Sequence, residues 1–260
     1  MSASTSWDRA AALPVPTGDH PRPEITTLAD GMPSIDALFT FMRDAELRFA
    51  TLRMRIEEHA WNARGEEVSL IEITVRHPGN ARILTSIPAL GLTGSYDVWI
   101  SDGATVRTFT ASRKVGTRRP VRHGVRGLGD PDLPGTARVY VPVTSLQAES
   151  LADMFVHPAG YCQNVLATGA CRITGTTLVT GREAIVVECD HPRTIEAAAD
   201  RPDFRVRVAV DRRDGVILRL EESMGDQPTR DAVVTSYEPD AVLPPGAFAF
   251  NFPSDTVFIY

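Results

Sequence analysis

The feature that most constrains this chain is a change in the spacing of its apolar residues near residue 51. Upstream, apolar residues recur at three- and four-residue steps, as on one face of a helix, at Ile35, Leu38, Phe39, Met42, Ala45 and Phe49. Downstream, Leu52, Met54 and Ile56 alternate with polar residues, as in a strand with one buried face. We therefore expect a helix over residues 35–49, capped by Ser34, that leads directly into a β-strand.

Short alternating segments then continue to the end of the chain, separated by turn sequences such as Ser101-Asp102-Gly103. A second helix is predicted near residues 146–156, introduced by a capping sequence at 144–149. Hairpin turns join neighbouring strands in antiparallel sheets, whereas parallel sheets need a long crossover between strands. The predicted fold is mainly β (α+β): a single curved antiparallel sheet, forming an unclosed barrel, with two or more helices covering its concave face.

The domain organisation follows from where this pattern begins. Residues 1–33 contain five prolines and no periodic apolar residues, so we interpret them as an extended or disordered N-terminal segment. No linker interrupts the rest of the chain. Residues 34–260 are therefore predicted to form one domain.

One segment interrupts the strand pattern with positive charge. Residues 111–136 carry six basic residues and no acidic residue before Asp130, although the net charge of the chain is -6. The six are Arg113, Lys114, Arg118, Arg119, Arg122 and Arg126. We interpret the segment as a long mobile loop that could dock to an acidic protein partner or to anionic lipid headgroups. Nucleic acid is an unlikely partner because no aromatic residue stands between the arginines to stack on bases.

No catalytic motif is present. The chain lacks a nucleophile elbow, a Walker loop and a dinucleotide-binding fingerprint. Carboxylate pairs such as Glu57-Glu58 are adjacent in sequence, which places the two side chains on opposite faces of a strand. We interpret His59, His77 and His191 as surface residues. The sequence thus favours a non-catalytic binding protein without a metal or cofactor.

The three cysteines, Cys162, Cys171 and Cys189, leave three interpretations open. Reduced thiols are favoured, because disulfides are rare in the cytosol. A Cys162–Cys171 disulfide is the second interpretation. The third is a zinc site that combines cysteines with His157 or His191, although no closely spaced ligand pair anchors it.

The sequence also bears on location. No apolar run approaches the roughly 20 residues that a membrane-spanning helix needs. The first residues lack the basic and then apolar pattern of a secretory signal. The sequence as given therefore predicts a cytoplasmic protein, and the cell envelope is the alternative if the start is truncated or misassigned.

An ordered series of motifs resembles the lipoprotein-carrier superfamily, the LolA-like and RseB-like proteins of the outer-membrane lipoprotein-sorting fold. A helix feeds into the first strand at residues 49–52, and residues 98–106 resemble that family's hairpin with a Ser-Asp-Gly turn. Residues 180–184 resemble its Gly-Arg-Glu hairpin, and residues 208–216 its Val-x-Val-Asp hairpin ending in glycine. Residues 248–257 are similar to its closing strand and tail. The resemblance covers residues 34–260.

This resemblance implies an unclosed barrel. In the carriers of the family, the concave side of the barrel encloses acyl chains. In the regulators, the same fold senses lipid-like or peptide signals and contacts an anti-sigma factor. A lipophilic ligand or a lipoprotein is then the expected partner. The expected cavity residues are apolar and come from the first helix and both halves of the sheet: Leu38, Met42, Phe49, Met54, Ile56, Ile73, Val75, Trp99, Val208 and Leu218. The alternative is a regulatory protein-interaction module of the sigma and anti-sigma type that binds no small molecule.

Overall fold

The computed structural model describes residues 25–259 except 91–94, 122–141, 191 and 193–202. Within these residues, three α-helices are present: α1 Ile35–Arg43, α2 Leu151–Val156 and α3 Pro158–Asn164. Single 3₁₀ turns lie at Ala45–Arg48, Pro88–Leu90, Ala111–Arg113 and Leu166–Thr168. The helical part of the described chain therefore consists of short pieces.

Twelve strands in the described residues form one sheet. They are β1 Thr51–Asn62, β2 Gly65–Arg76, β3 Asn80–Ser86, β4 Tyr96–Asp102, β5 Thr105–Thr110, β6 Val115–Pro120, β7 Ala170–Val179, β8 Arg182–Asp190, β9 Phe204–Asp211, β10 Ile217–Met224, β11 Gln227–Pro239 and β12 Val257–Phe258. Their order is β12-β6-β5-β4-β3-β2-β1-β11-β10-β9-β8-β7. All neighbours are antiparallel except β12 and β6. The predicted single, unclosed antiparallel sheet is confirmed.

The sheet has two chemically different faces because its strands alternate apolar and polar residues. On β1, the core face carries Leu52, Met54 and Ile56, which pair across to apolar residues of β2. The outer face carries Arg53 and Arg55, each paired with a neighbouring glutamate. The period of two seen in the sequence therefore separates a buried face from a solvated one.

The helices pack on the core face, as predicted. Ser34 caps α1, and its Oγ accepts a hydrogen bond from the Ala37 amide at 3.2 Å. The helix ends at Arg43 rather than at residue 49, and a 3₁₀ turn continues to Arg48. Leu38 and Met42 are fully buried against the sheet. The first helix is thus shorter than its apolar spacing indicates, because the 3₁₀ turn brings the chain into β1.

The second helical segment differs from its prediction. Helix α2 starts at Leu151, and its cap is Ser150, whose Oγ accepts from the Asp153 amide. The predicted capping residue Thr144 is instead buried in a polar cluster described below. The helical segment also extends past residue 156, because Pro158 begins α3 and proline fits the first position of a helix.

The prediction of a basic loop is wrong for residues 111–120, the first part of the segment. Residues 111–113 form a 3₁₀ turn, and residues 115–120 form strand β6, which pairs with β5. The amides of Val257 and Ile259 donate to carbonyls of Lys114 and Gly116, which joins the end of the chain to this strand. A run of like charges is compatible with an edge strand because alternate side chains point into solvent. Residues 122–136 of the predicted loop lie outside the described residues.

A second apolar cluster lies on the outer face of β4 and β5. Val98, Ile100 and Phe109 are buried there beneath Phe250 and Phe252 of the C-terminal segment. Phe109 contacts both aromatic rings, with centroid distances of 5.9 and 6.3 Å. The C-terminal segment therefore covers the part of the outer face that is apolar.

Candidate functional site

The ten predicted cavity residues all lie in one apolar cluster between the helices and the core face. Each is buried. They come from α1, from Phe49 just before β1, and from strands β1, β2, β4, β9 and β10. The set is Leu38, Met42, Phe49, Met54, Ile56, Ile73, Val75, Trp99, Val208 and Leu218. Trp99 lies opposite Ile83 of β3, which places it on the core face. Residues from both halves of the chain thus meet at a single candidate site.

Partly buried residues of the helical layer border this cluster. Met154 of α2 and Phe39 of α1 pack against it while remaining partly accessible. Cys162 of α3 contacts Met42, with 3.5 Å between the two sulfur atoms. The cover of the candidate site is therefore made of short helices with flexible, sulfur-containing side chains at the contact.

A cavity of about 550 Å³ lies elsewhere, among charged residues of β7–β11, and Trp61 is part of its lining. None of the ten predicted residues lines it. Arg172 bonds Glu188 and Asp190, and Arg207 bonds Glu221, so its charges are paired across neighbouring strands. This ladder of ion pairs matches a solvated outer face.

A buried polar cluster, missed by the sequence analysis, lies beside the apolar site. The His157 ring is fully buried, its Nε2 is 3.2 Å from Glu46 Oε2, and its Nδ1 is 3.0 Å from Asp153 Oδ1. Burial alone would lower the pKa of His157, but these two carboxylates outweigh it and raise the pKa to about 9. The Glu46 carboxylate also accepts the Val143 amide at 3.0 Å. The cluster thus ties the first 3₁₀ turn to α2 and to residue 143.

His77 extends this cluster, which corrects its interpretation as a surface residue. Its Nδ1 lies 2.7 Å from Thr144 Oγ1, and its ring stacks on Phe49 with centroids 5.3 Å apart. Burial lowers the pKa of His77. His59, by contrast, lies on the outer face between Glu57 and Glu66, where the hydrogen bond to Glu66 is the main factor that raises its pKa. His191 lies outside the described residues.

The motif residues at 182 and 211 form a second buried polar cluster. Arg182 makes two hydrogen bonds to the fully buried carboxylate of Asp211, at 2.7 and 2.8 Å, and a third to Asp214. Tyr237 donates to Asp214 at 3.0 Å, and the Arg182 guanidinium lies over its ring. The two hairpins that carry the family-like motifs are therefore held together by ionic contacts. Nothing in this cluster combines a nucleophile with an accessible base.

The cysteine alternatives are partly resolved by position. All three cysteines are free, and Cys162 lies in α3 facing Met42 rather than Cys171. Cys171 lies opposite Cys189 on the neighbouring strand, so the structure pairs Cys171 with Cys189, and the Cys162–Cys171 disulfide stays a prediction. His157 is occupied by two carboxylates, and no group of three metal-binding side chains occurs within the described residues.

The predicted docking residues divide by location. Arg113, Lys114, Arg118 and Arg119 are exposed on β6 and the turn before it. Lys114 pairs with Asp255 at 2.5 Å. Arg122 and Arg126 lie outside the described residues. In the part of the chain that is described, no helix is both long and apolar enough to cross a membrane.

Comparison with known proteins gives structural likenesses alone. Neither protein-family descriptions nor curated proteins match this chain. Similar solved structures include MucB, which is 14% identical over 83% of this chain and 62% of the MucB chain, with a TM-score of 0.46. This chain thus spans less than two thirds of MucB.

Two further structures are similar over nearly their whole length. LprF from Mycobacterium bovis is 12% identical over 82% of this chain and 98% of LprF, with a TM-score of 0.42. A LolA superfamily protein from Nitrosomonas europaea is 11% identical over 84% of this chain and 99% of its own, with a TM-score of 0.34. All three TM-scores are below 0.5, and the function proposed below depends on the residues of this chain.

Proposed function

We propose that this protein is a non-catalytic binding protein that holds a lipophilic ligand, such as an acyl chain, between its short helices and the core face of its sheet. The observation that carries the proposal is the convergence of apolar residues from α1 and from both halves of the sheet on one buried face. Among the described residues, that face is covered by helices of six to nine residues and not by a second sheet.

Such a cover can adapt to a ligand. Isolated helices shorter than about 12 residues are marginal in water, so α1, α2 and α3 depend on their packing against the sheet. Met42, Met54 and Met154 lie in or against the cluster, and their unbranched side chains can repack around different shapes. Entry of a ligand then requires displacement of the helices without breaking the sheet.

The expected affinity follows from apolar burial. Each buried CH₂ contributes about 0.8 kcal/mol, so eight carbons contribute roughly 6 kcal/mol before the costs of ordering. A gain of about 6 kcal/mol corresponds to a dissociation constant of roughly tens of micromolar when ordering costs are small, and it requires no charged contact. The proposal therefore concerns acyl chains whatever their headgroup.

The test is titration of the purified protein with a fluorescent fatty acid, together with native mass spectrometry for lipid retained from expression. Met154→Lys should weaken probe binding at least tenfold, because it places charge at the border of the apolar cluster. Leu178→Lys is the matched control, since Leu178 is 73% exposed and lies outside the cluster. Absence of saturable binding and of retained lipid in the wild-type protein would overturn the proposal.

A second candidate function is docking of an acidic partner along β6. Arg113, Arg118 and Arg119 are exposed, and none of them has an ion pair with another described residue. Strand β12 pairs with β6 at Val115 and Gly116, which leaves Thr117–Pro120 at the outer edge of the sheet. An acidic extended segment could add to that edge through backbone hydrogen bonds while its carboxylates meet the arginines.

Two assays distinguish an acidic protein partner from anionic lipid headgroups: salt-dependent binding to polyglutamate tests the first, and co-sedimentation with vesicles of anionic lipid tests the second. Arg118→Ser with Arg119→Ser should reduce binding to polyglutamate and flatten its salt dependence. Arg53→Ser with Arg55→Ser is the matched control, because both arginines are exposed but paired with glutamates. Equal loss in both double variants would indicate nonspecific charge attraction.

The location of the protein, cytoplasmic or in the cell envelope, is a separate prediction. Fractionation of expressing cells, with detection of the full chain in cytoplasmic and envelope fractions, decides between the cytoplasm and the cell envelope. Either compartment is compatible with a lipophile-binding protein.

A further inference from the structure

Two cysteines face each other directly across strands β7 and β8. Cys171 and Cys189 are partners in the register of this antiparallel pair. The carbonyl of Glu183 in β8 accepts from the Arg212 amide, which follows β9. Along a strand, the N–H and C=O groups of successive residues point alternately towards one neighbouring strand and then towards the other. Glu183 and Cys189 are an even number of positions apart in β8, and the β8–β9 register has no shift, so the N–H and C=O of Cys189 also point towards β9.

Cys171 and Cys189 therefore form a pair without backbone hydrogen bonds between them. In such pairs the Cα atoms lie about 4.5 Å apart and the side chains approach most closely. A disulfide spans Cα separations of about 4.4–6.8 Å. The backbone thus places these two cysteines within disulfide range without rearrangement of the sheet.

The two sulfur atoms also converge on one acceptor. The carbonyl oxygen of Leu166 lies 3.0 Å from Cys171 Sγ and 3.3 Å from Cys189 Sγ. A Cβ at Gly169 would lie 2.6 Å from Cys189 Sγ and 2.7 Å from the Asp190 carbonyl. Only glycine permits this approach, so the turn after Leu166 is held tightly against the sulfurs.

The two thiols differ in accessibility and acidity. Cys171 is partly exposed, and Cys189 is buried. A hydrogen bond from Cys189 lowers the pKa of Cys171, whereas the same contact and burial raise the pKa of Cys189. Cys171 is thus the thiol that meets a reagent first, and Cys189 is positioned to react second.

We propose that Cys171 and Cys189 form a redox-active dithiol that a disulfide oxidant of the glutathione or thioredoxin-like class converts to a cross-strand disulfide. The Cys171 thiolate attacks one sulfur of the oxidant, the oxidant's S–S bond breaks, and its other half leaves as a thiolate. Cys189 then attacks Cys171 Sγ and breaks the mixed disulfide. The oxidant is reduced to two thiols, which carry away the two protons lost by the protein.

The third cysteine provides an internal control. Cys162 is buried in the helical layer and faces Met42, and burial raises the pKa of its thiol. It has neither the accessibility nor the partner that the exchange requires. Oxidation should therefore remove two of the three thiols and leave the third.

The experiment treats the folded full chain with oxidised glutathione and maps its disulfides by mass spectrometry after alkylation and digestion. The expected product has lost two hydrogens and contains a peptide that joins Cys171 to Cys189, with Cys162 alkylated. Cys189→Ala should stop the reaction at a glutathione adduct on Cys171, because the second thiol is missing. Circular dichroism confirms that this variant is folded.

Cys162→Ser is the matched control and should form the bridge at the wild-type rate. The proposal is overturned if the folded wild-type protein yields a bridge that includes Cys162. It is also overturned if Cys171 gains only a stable glutathione adduct while Cys189 remains available, or if neither cysteine reacts until the protein is unfolded.

Discussion

At the scale of single residues, this protein uses a few buried ionic contacts to fix parts of the chain that are distant in sequence. Arg182 and Asp211 are 29 residues apart, and their paired hydrogen bonds lock the β7–β8 hairpin to the β9–β10 hairpin. Asp211 also accepts the amides of Arg213 and Asp214, so its carboxylate organises the second turn as well. Loss of Arg182 would leave that carboxylate buried without its cation.

Arg182→Met should therefore lower the free energy of unfolding by about 3–5 kcal/mol, the usual cost of breaking a buried ion pair from one side. Urea denaturation followed by far-ultraviolet circular dichroism measures this difference. Arg172→Met is the matched control, because Arg172 bonds two carboxylates on the exposed outer face, where solvent screens the ion pairs, and it should lower the free energy of unfolding much less than Arg182→Met does. Similar losses in both variants would contradict the role assigned to Asp211.

His157 makes stability depend on pH. Its pKa is raised in the folded protein from an ordinary 6.5 to about 9, so its charged form favours folding. This stabilisation is complete below about pH 6.5 and is lost as the pH rises through 9. Burial lowers the pKa of His77, so its contribution to the pH dependence has the opposite sign to that of His157.

The free energy of unfolding should thus fall by up to about 3 kcal/mol between pH 6.5 and 9.5, and urea titrations across that range measure it. His157→Gln should remove most of the decrease. His59→Gln should leave most of it, because His59 is largely solvated between Glu57 and Glu66. A wild-type slope that is unchanged in His157→Gln would show that another group carries the effect.

At the scale of elements, the C-terminal segment acts as a cover for an apolar patch on the outer face. Gly116 of β6 lies directly beneath it, and a Cβ there would be 2.7 Å from Phe252 and 2.8 Å from Thr256. The Lys114–Asp255 ion pair and the two-residue β12 strand also hold the segment against β6. Close approach at Gly116 is thus a condition for seating the segment.

Gly116→Val should displace the segment and uncover Val98, Ile100 and Phe109. Binding of the dye ANS should increase, and chymotrypsin should cleave after Phe250 faster than in the wild type. Gly160→Ala is the control, since a Cβ at Gly160 meets no atom within 4 Å. If chymotrypsin cleaves Gly116→Val no faster than the wild type, β6 accommodates the larger side chain without releasing the C-terminal segment.

At the scale of the whole molecule, the path of the chain links both halves through β1. Strand β1 pairs with β2, which follows it, and with β11, which comes near the end of the chain. One apolar cluster contains residues from α1, from β1–β5 and from β7–β11. The two halves of the sheet therefore share a core.

We expect a single cooperative unfolding transition for residues 34–260. Trp99 fluorescence, which reports on the first half of the sheet, should change with the same urea midpoint as far-ultraviolet circular dichroism, which reports on all strands. Trp61→Phe removes the second tryptophan of the described residues as a control on the optical signal. Two separated midpoints would instead indicate two independently stable units.

The sequence by itself determined the elements and their faces wherever local periodicity is strong. The change of period near residue 51, the Ser34 cap and the alternation of Leu52, Met54 and Ile56 predicted α1, its start and the core face of β1. These features depend on neighbours within a few residues, so they can be read along the chain. The ten residues expected at the cavity lie in one buried cluster, and their role in binding stays a prediction.

Only the tertiary structure decided which distant residues meet. Pairing of Cys171 with Cys189, burial of His157 beside Glu46, and formation of β6 from a basic segment all depend on strands or turns that the local pattern does not connect. Alternation assigns a side chain to a face, but register assigns its partner. Register is set by the packing of the whole sheet, because each strand must match both of its neighbours at once.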